Sequence, residues 1–185
     1  LGPSGYIFTS GNPGGLQCRN RAGALVWMPD VAASTEVIVA DDGSLCFGQA
    51  SQLVRVSPDG REVWRQPTTG SVVGLARTAG DTIYLTTDAG VLEAWSLSGT
   101  NRWRFPTLLT RATSPSITTD GSVVFAAGDG RIYLIAPDGS KRWEHDTLSP
   151  TLTKASIGPD GVIVLGVGSR VLALDRRDDS CGVRF

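Results

Sequence analysis

The stretch RIYLIAPDGSKRW, residues 131–143, consists of two short strand-like segments joined by a Pro-Asp-Gly triplet. Proline presets φ for the first turn position and glycine accepts a positive φ, so the triplet predicts a tight hairpin between two strands. Just upstream, segments 114–119 and 123–127 have the same strand character and flank Asp120-Gly121. Strand segments of this length, spaced by turns, leave no window for a helix. Residues 114–145 therefore predict a four-stranded antiparallel meander.

The same pattern recurs along the chain at intervals of about 40 residues, a period typical of β-propeller blades. A tryptophan marks the fourth strand of each copy, and a glycine precedes it by four positions. These tryptophans are Trp27, Trp64, Trp103 and Trp143, and the glycines are Gly23, Gly60, Gly99 and Gly139. A fifth copy is degenerate, with Asp178 at the glycine position and Gly182 at the tryptophan position.

The repeated tryptophans have a predicted structural role. On the outermost strand of a blade, each ring can pack against the neighbouring blade, while its indole N–H requires a carbonyl acceptor nearby. We expect the tryptophans and their glycines to dock adjacent blades. Trp95 falls outside the series, on a third strand, and is predicted to add to the core.

Segment 133–143 resembles the repeat of PQQ-like (quinoprotein-type) propellers. In that family an Ala-x-Asp segment precedes the turn glycine, and a tryptophan four residues later docks adjacent blades. Residues 173–175 keep Ala-x-Asp, and Ala94 keeps the alanine alone. The resemblance covers essentially the whole chain and extends to the family's non-enzymatic branch, which includes the lipoprotein propeller of outer-membrane assembly.

These observations predict an all-β protein, a single PQQ-like β-propeller domain over residues 1–185. About five four-stranded antiparallel blades are expected, the first lacking its innermost strand. The predicted blades span residues 1–30, 31–66, 67–105, 106–146 and 147–185. The family usually has seven or eight blades, so the resemblance implies that the chain is a fragment of a larger propeller.

Composition excludes several function classes. With 17 Lys+Arg against 18 Asp+Glu, the net charge is −1, whereas a general nucleic-acid binder shows a basic excess. No segment approaches the roughly 18–20 uninterrupted apolar residues of a membrane-spanning helix. We therefore expect neither a nucleic-acid partner nor a membrane span in this segment.

No cofactor or metal is expected. The redox enzymes of the resembled family carry a vicinal cysteine pair, calcium-binding residues and a catalytic aspartate, and no segment here matches them. Cys18, Cys46 and Cys181 are widely spaced and allow at most one disulfide, whose existence the sequence leaves open. Free cysteines that act as small apolar residues are the expected state.

Glu144-His145-Asp146 contains the single histidine of the chain. Alternate residues of a strand share a face, so the two carboxylates point together and the histidine points away from them. That arrangement prevents a carboxylate from orienting the neighbouring histidine, and no nucleophile motif accompanies it. A solvated strand end is the predicted role.

The candidate binding residues lie on or beside the links between blades. In a meander, these links share one end of the sheets with the turns between second and third strands. The two longest links span residues 105–114 and 146–154, and loops on a rigid scaffold often carry binding function. Their apolar and basic candidates are Arg104, Leu108, Leu109, Arg111, Leu148, Leu152 and Lys154. Such a mixture suits a protein partner, although the leucines could instead pack beneath the blades.

The sequence thus predicts a non-catalytic protein-interaction scaffold or ligand-sensing propeller, with a protein partner or small ligand on one face. The resemblance implies a bacterial cell-envelope protein in a periplasmic or extracellular location. A fragment of a PQQ-dependent oxidoreductase is one alternative. A carbohydrate-binding propeller is another, and it would require aromatic residues repeated on the loops rather than on the strands.

Overall fold

A computed structural model describes residues 5–11, 15–28, 33–149, 153–177 and 180–184. Within these ranges the regular secondary structure consists entirely of β-strands. The first seven are β1 (Ile7–Gly11), β2 (Gly15–Arg19), β3 (Leu25–Trp27), β4 (Ile38–Val39), β5 (Leu45–Gln49), β6 (Gln52–Val56) and β7 (Glu62–Pro67). The next eight are β8 (Val72–Arg77), β9 (Thr82–Thr87), β10 (Val91–Ser96), β11 (Asn101–Pro106), β12 (Ser116–Ile117), β13 (Val123–Ala126), β14 (Arg131–Ile135) and β15 (Lys141–Asp146). The last four are β16 (Ser156–Ile157), β17 (Ile163–Val167), β18 (Arg170–Arg177) and β19 (Ser180–Arg184).

The strands form five antiparallel meanders, which we call blades 1 to 5. Blade 1 contains β1–β3 among the described residues, and the others contain β4–β7, β8–β11, β12–β15 and β16–β19. Each sheet keeps its strands in chain order. The predicted all-β propeller architecture, built of four-stranded antiparallel sheets, is confirmed.

The chain divides into two compact units, residues 1–75 and 76–185. In the first unit, Leu16 of blade 1 packs with Leu45, Phe47, Val54 and Val56 of blade 2. That these units belong to a single domain stays a prediction.

In the second unit, blade 4 is buried on both faces. Val123 and Phe125 pack with residues of blade 3, such as Leu92. Val124 and Ala126 instead pack with residues of blade 5, such as Ile163. A strand that is apolar at every position is expected where both faces of a sheet are covered. The run Val-Val-Phe-Ala in β13 therefore reflects two packing interfaces.

The repeat tryptophans Trp27 and Trp103 contact the next blade through its Pro-Asp-Gly turn. Trp27 Nε1 donates to the carbonyl oxygen of Pro58 at 2.8 Å. Trp103 Nε1 donates in the same way to Pro137 at 2.9 Å. The turn glycine is required twice over, because Gly139 has a φ of +90° and a Cβ there would lie 2.8 Å from the Trp103 ring. Blade docking by the whole tryptophan series stays a prediction.

Blade 5 lacks this turn. Trp143 is only 7% exposed, and its Nε1 has no acceptor among the described residues. In the repeat, Arg176 occupies the position of Pro137. In blade 5, however, β18 continues past that point, and Arg176 pairs with Cys181 of β19. The longer hairpin thus removes the turn carbonyl that accepts from tryptophan in blades 2 and 4.

We predict that Gly139→Ala destabilises the protein more than Gly161→Ala. Both glycines have a positive φ, so both substitutions carry the cost of a left-handed backbone, about 1 kcal/mol. Only at Gly139 does the new methyl group meet the Trp103 ring, since the Cβ position of Gly161 is open. The clash should add about 1–3 kcal/mol.

The measurement is the free energy of unfolding in urea, with tryptophan fluorescence as the probe. Gly60→Ala and Gly23→Ala form a second matched pair, because a Cβ at Gly60 would lie 2.9 Å from the Trp27 ring and one at Gly23 meets nothing within 4 Å. Equal losses within each pair would show that the ring contact contributes nothing beyond the turn conformation.

Candidate functional site

The link between blades 3 and 4 begins at Thr107 and is tied to the turn between β9 and β10. The Thr107 amide donates to the carbonyl oxygen of Gly90 at 2.9 Å. Its hydroxyl lies 2.7 Å from the same oxygen and 2.9 Å from the carbonyl oxygen of Leu109. A Cβ on Gly90 would lie 2.1 Å from the Leu109 oxygen, so only glycine permits this approach. The link and the turn therefore meet at one end of blade 3.

The link that follows blade 4 begins in the same way. The Thr147 amide donates to Gly130 at 3.0 Å, and its hydroxyl contacts the carbonyl oxygens of Gly130 and Ser149. After blade 2, the Thr68 amide donates to Ser51, and the Thr68 hydroxyl donates to Gly70 at 2.7 Å.

These three threonines are absent from the candidates drawn from the sequence. The signal for them is nevertheless present in the repeat, because each threonine follows a repeat tryptophan by four positions.

The leucines of the two longer links point outward. Leu108, Leu109 and Leu148 are 74%, 57% and 92% exposed. Of the two arrangements left open by the sequence, packing beneath the blades is therefore wrong for these three residues. Leu152 lies outside the described residues. Arg111 and Lys154 are exposed on the same two links.

Strained backbone is concentrated at this end of the blades. The described non-glycine residues with positive φ are Ala50 (+49°), Arg111 (+74°) and Leu148 (+56°). Ala50 lies in the turn between β5 and β6, and the other two lie in the links. Such conformations cost on the order of 1–3 kcal/mol each and persist where surrounding contacts fix them.

Hydrogen bonds supply these fixing contacts. The Arg111 amide donates to Asp88 at 2.8 Å, and the Arg111 carbonyl accepts from Gly128 at 2.7 Å. The Leu148 amide donates to Asp146 Oδ1 at 2.8 Å. These hydrogen bonds hold the link after blade 3 at Arg111 and the start of the link after blade 4 at Leu148.

Arg104 lies on β11 rather than in the link. It stands opposite Glu93 in the β10–β11 register, and its Nε is 3.7 Å from Glu93 Oε2. Glu93 is fully buried and accepts a 2.8 Å hydrogen bond from Trp95 Nε1. The carboxylate therefore anchors one side of the Arg104 guanidinium, which is 47% exposed.

The turn of blade 4 is anchored by an aromatic residue. The Tyr133 hydroxyl donates to Asp129 Oδ2, and the Arg131 amide donates to Asp129 Oδ1 at 3.0 Å. Burial raises the pKa of Tyr133, and the hydrogen bond to Asp129 raises it further. Tyr133 also stacks on Phe125, with ring centroids 5.4 Å apart. The turn is in this way connected to the core between blades 3 and 4.

The turns between first and second strands, at the other end of the blades, are closed by arginine–aspartate pairs. Arg55 pairs with Asp42 at 2.6 Å, Arg142 with Asp120 at 2.5 Å, and Arg102 with Asp81. Hydrogen bonds from Ser44, together with Arg55, hold the pKa of Asp42 below its usual value. In blades 2, 3 and 4, the aspartate of this turn is therefore paired with an arginine of the same blade.

The carboxylates of Glu144-His145-Asp146 are also occupied. Glu144 and Asp146 both pair with Arg131, at 2.9 and 3.8 Å, which shows that they share a face as predicted. The ranges that the structure covers contain no group of three His, Cys, Asp or Glu side chains suited to a metal ion.

Cys18 and Cys46 are buried, and burial raises the pKa of the Cys18 thiol. The side chain of Cys181 lies outside the described part of the chain. A search of the described residues for a helix long and apolar enough to span a membrane finds none.

Comparison with known proteins identifies the family. A family model described as outer membrane protein assembly factor BamB, of the PQQ-like repeat type, matches residues 49–180. The chain belongs to this PQQ-like propeller family. The sequence resemblance to the outer-membrane assembly propeller is thereby confirmed. A comparison with curated protein sequences finds no significant match.

Solved propeller structures share the fold. BamB from Moraxella catarrhalis superposes with a TM-score of 0.80 at 14% identity, over 98% of this chain and 61% of that one. The computationally designed Ika8 protein gives 0.76 at 14% identity, over 90% and 54% of the two chains. The WD40 propeller domain of Doa1 gives 0.74 at 11% identity, over 91% and 60%. The chain thus spans between about half and two thirds of these structures.

We predict that Tyr133→Phe costs about 1 kcal/mol of stability at pH 7, through loss of the hydrogen bond to Asp129. The folded state raises the pKa of Tyr133, so the tyrosine contributes its full stability below its unfolded pKa of about 10 and loses it as pH rises further. The stability gap between wild type and variant should therefore narrow above about pH 10.

Urea unfolding from pH 8 to 11 measures this gap. The buried Tyr84, whose pKa is also raised, is present in both proteins and cancels in the comparison. A gap that stays constant across the range would contradict a folded-state shift at Tyr133.

Proposed function

We propose that this chain is a non-catalytic scaffold that binds a protein partner through the link surface. The link surface consists of residues 107–113, 147–149 and 153–154 of the links that follow blades 3 and 4, with the turns 88–90 and 128–130 beneath them. The observation that carries the proposal is the exposure of Leu108, Leu109 and Leu148 on strained links that hydrogen bonds hold in place.

The energetics favour a protein partner. Complete burial of a leucine side chain is worth about 1.5–3 kcal/mol, so three exposed leucines offer a substantial gain on binding. Small-ligand sites are concave, whereas a side chain that is 92% exposed protrudes from the surface. Arg111 and Lys154 add positive charge beside the leucines, which suits a partner with an apolar centre and acidic groups around it.

The family supports a role in the cell envelope. The matching family model is described as an outer membrane protein assembly factor, and a solved structure with the same fold is a BamB. By this likeness, we place the chain in the envelope of a bacterium, in a periplasmic or extracellular position.

The oxidoreductase alternative and the carbohydrate-binding alternative have less support. Glu144 and Asp146, the carboxylates beside the histidine, are both paired with Arg131. The repeat aromatics Trp27 and Trp103 direct their N–H groups to turn carbonyls of the neighbouring blade, as structural residues do. A sugar-binding platform would need aromatic rings presented on the links, where the chain instead carries leucines.

Capture from an envelope extract of the source organism tests the proposal. The wild-type chain, a Leu108→Ser/Leu148→Ser variant and a Leu25→Ser/Val63→Ser control are immobilised, and retained proteins are quantified by mass spectrometry. Leu25 and Val63 are exposed apolar residues at 52% and 53% exposure, and they lie on strands β3 and β7 rather than on a link.

We expect one or more proteins to be retained by the wild type and the control but at least tenfold less by the Leu108→Ser/Leu148→Ser variant. Thermal unfolding of all three chains checks that the substitutions leave the fold intact. Equal retention on all three chains would refute binding through the link surface.

A further inference from the structure

We propose that Thr107 is a positioning residue, whose hydroxyl holds the link between blades 3 and 4 in the conformation that presents Leu108 and Leu109. Thr147 has the same role in the following link. The proposal rests on the proposed function for its biological meaning, and it adds the residue that determines the shape of the binding surface.

The first argument is recurrence. In blades 2, 3 and 4 a threonine at the same repeat position donates its amide to the turn below and directs its hydroxyl to the carbonyl two residues ahead. The carbonyl oxygens that accept from the three hydroxyls belong to Gly70, Leu109 and Ser149. The same geometry thus recurs in three links of different sequence, and the threonine is the residue that they share at this position.

The second argument is the chemistry of the side chain. A β-branched residue has few χ1 rotamers, so its hydroxyl is directed with little loss of entropy. The Thr107 hydroxyl lies between the carbonyl oxygens of Gly90 and Leu109, one in the turn and one in the link. It thereby joins the link to the blade at the residue next to the exposed Leu108.

The third argument is strain. Arg111 has a φ of +74°, a strained conformation that persists where surrounding contacts hold it. Beyond Thr107, its contacts are the hydrogen bonds to Asp88 and from Gly128. Loss of the Thr107 hydrogen bond frees the first half of the link. The strained backbone of Arg111 then loses one of the contacts that stabilise it. A link that is already ordered also loses less conformational entropy when a partner binds, which favours binding.

The sequence contains a probe for this conformation. Arg111 makes the bond between residues 111 and 112 a trypsin site in the middle of the link. Its amide and carbonyl are hydrogen-bonded, and Ala112 forms a bridge with Ala127, so cleavage requires local opening. When opening is fast relative to cleavage, the cleavage rate reports the population of the open link.

The experiment compares the wild-type chain with Thr107→Val, Thr107→Ser and Thr68→Val under limited trypsin digestion, followed by mass spectrometry of the fragment that begins at Ala112. Thr107→Val keeps the branched shape and removes the hydroxyl. Thr107→Ser retains the hydroxyl. Thr68→Val removes the equivalent hydroxyl from a link that carries Thr69 and Gly70 in place of the leucines.

We expect Thr107→Val to accelerate cleavage after Arg111 by about fivefold, the ratio that loss of one hydrogen bond produces. Thr107→Ser should be close to wild type, and Thr68→Val should leave cleavage at this site unchanged. Urea unfolding of each variant identifies any acceleration that comes from global destabilisation. Unchanged cleavage in Thr107→Val, or equal acceleration in Thr68→Val, would overturn the proposal.

The cleavage measurement needs no partner, so it decides the role of Thr107 by itself. Retention of envelope proteins by the Leu108→Ser/Leu148→Ser variant decides the proposed function separately. A fivefold acceleration together with equal retention on all chains would leave the positioning role established and the proposed function refuted.

Discussion

A β-sheet that is apolar on both faces must be covered on both faces, and this requirement governs the structure described here. Blade 4 shows it most clearly, because successive residues of β13 belong to two different packing interfaces. No single blade can satisfy the requirement alone, so within the first unit blade 1 packs on blade 2, and within the second unit blade 4 packs on both blade 3 and blade 5. The contact between Trp103 and the turn of Gly139 lies at such a step, at the margin of the core.

The two ends of the blades are chemically different. At one end, arginines close the turns between first and second strands by pairing with aspartates of the same blade. At the other end, the links carry leucines outward on strained backbone. Strained backbone and exposed apolar surface both reduce stability. Because both occur in the links that follow blades 3 and 4, these links are the favoured place for a binding function.

Much of the fold could be predicted because the same pattern of strands and turns occurs in every repeat of the sequence. The tryptophan and glycine markers gave the period, and the turn triplets gave the hairpins. The outward direction of Leu108 and Leu148 could not be predicted, since a leucine in a link has the same local sequence whether it faces the core or the solvent. Arg104 was grouped with the links, yet the register of β11 sets it against the buried Glu93, a pairing that depends on strand alignment. The position of Thr107 recurs in the repeat, but its contact with a turn 17 residues earlier in the chain depends on how the strands align and could not be predicted from the local sequence.

The unpaired indole of Trp143 has a consequence for how the second unit unfolds. In stacked repeats, stability is approximately the sum of intrinsic terms for each repeat and coupling terms between nearest neighbours. Among the described residues, the step from blade 4 to blade 5 lacks the indole–carbonyl hydrogen bond that the step from blade 3 to blade 4 possesses, and it leaves a buried donor without an acceptor. In this nearest-neighbour description, the coupling terms therefore differ between the two steps of the second unit.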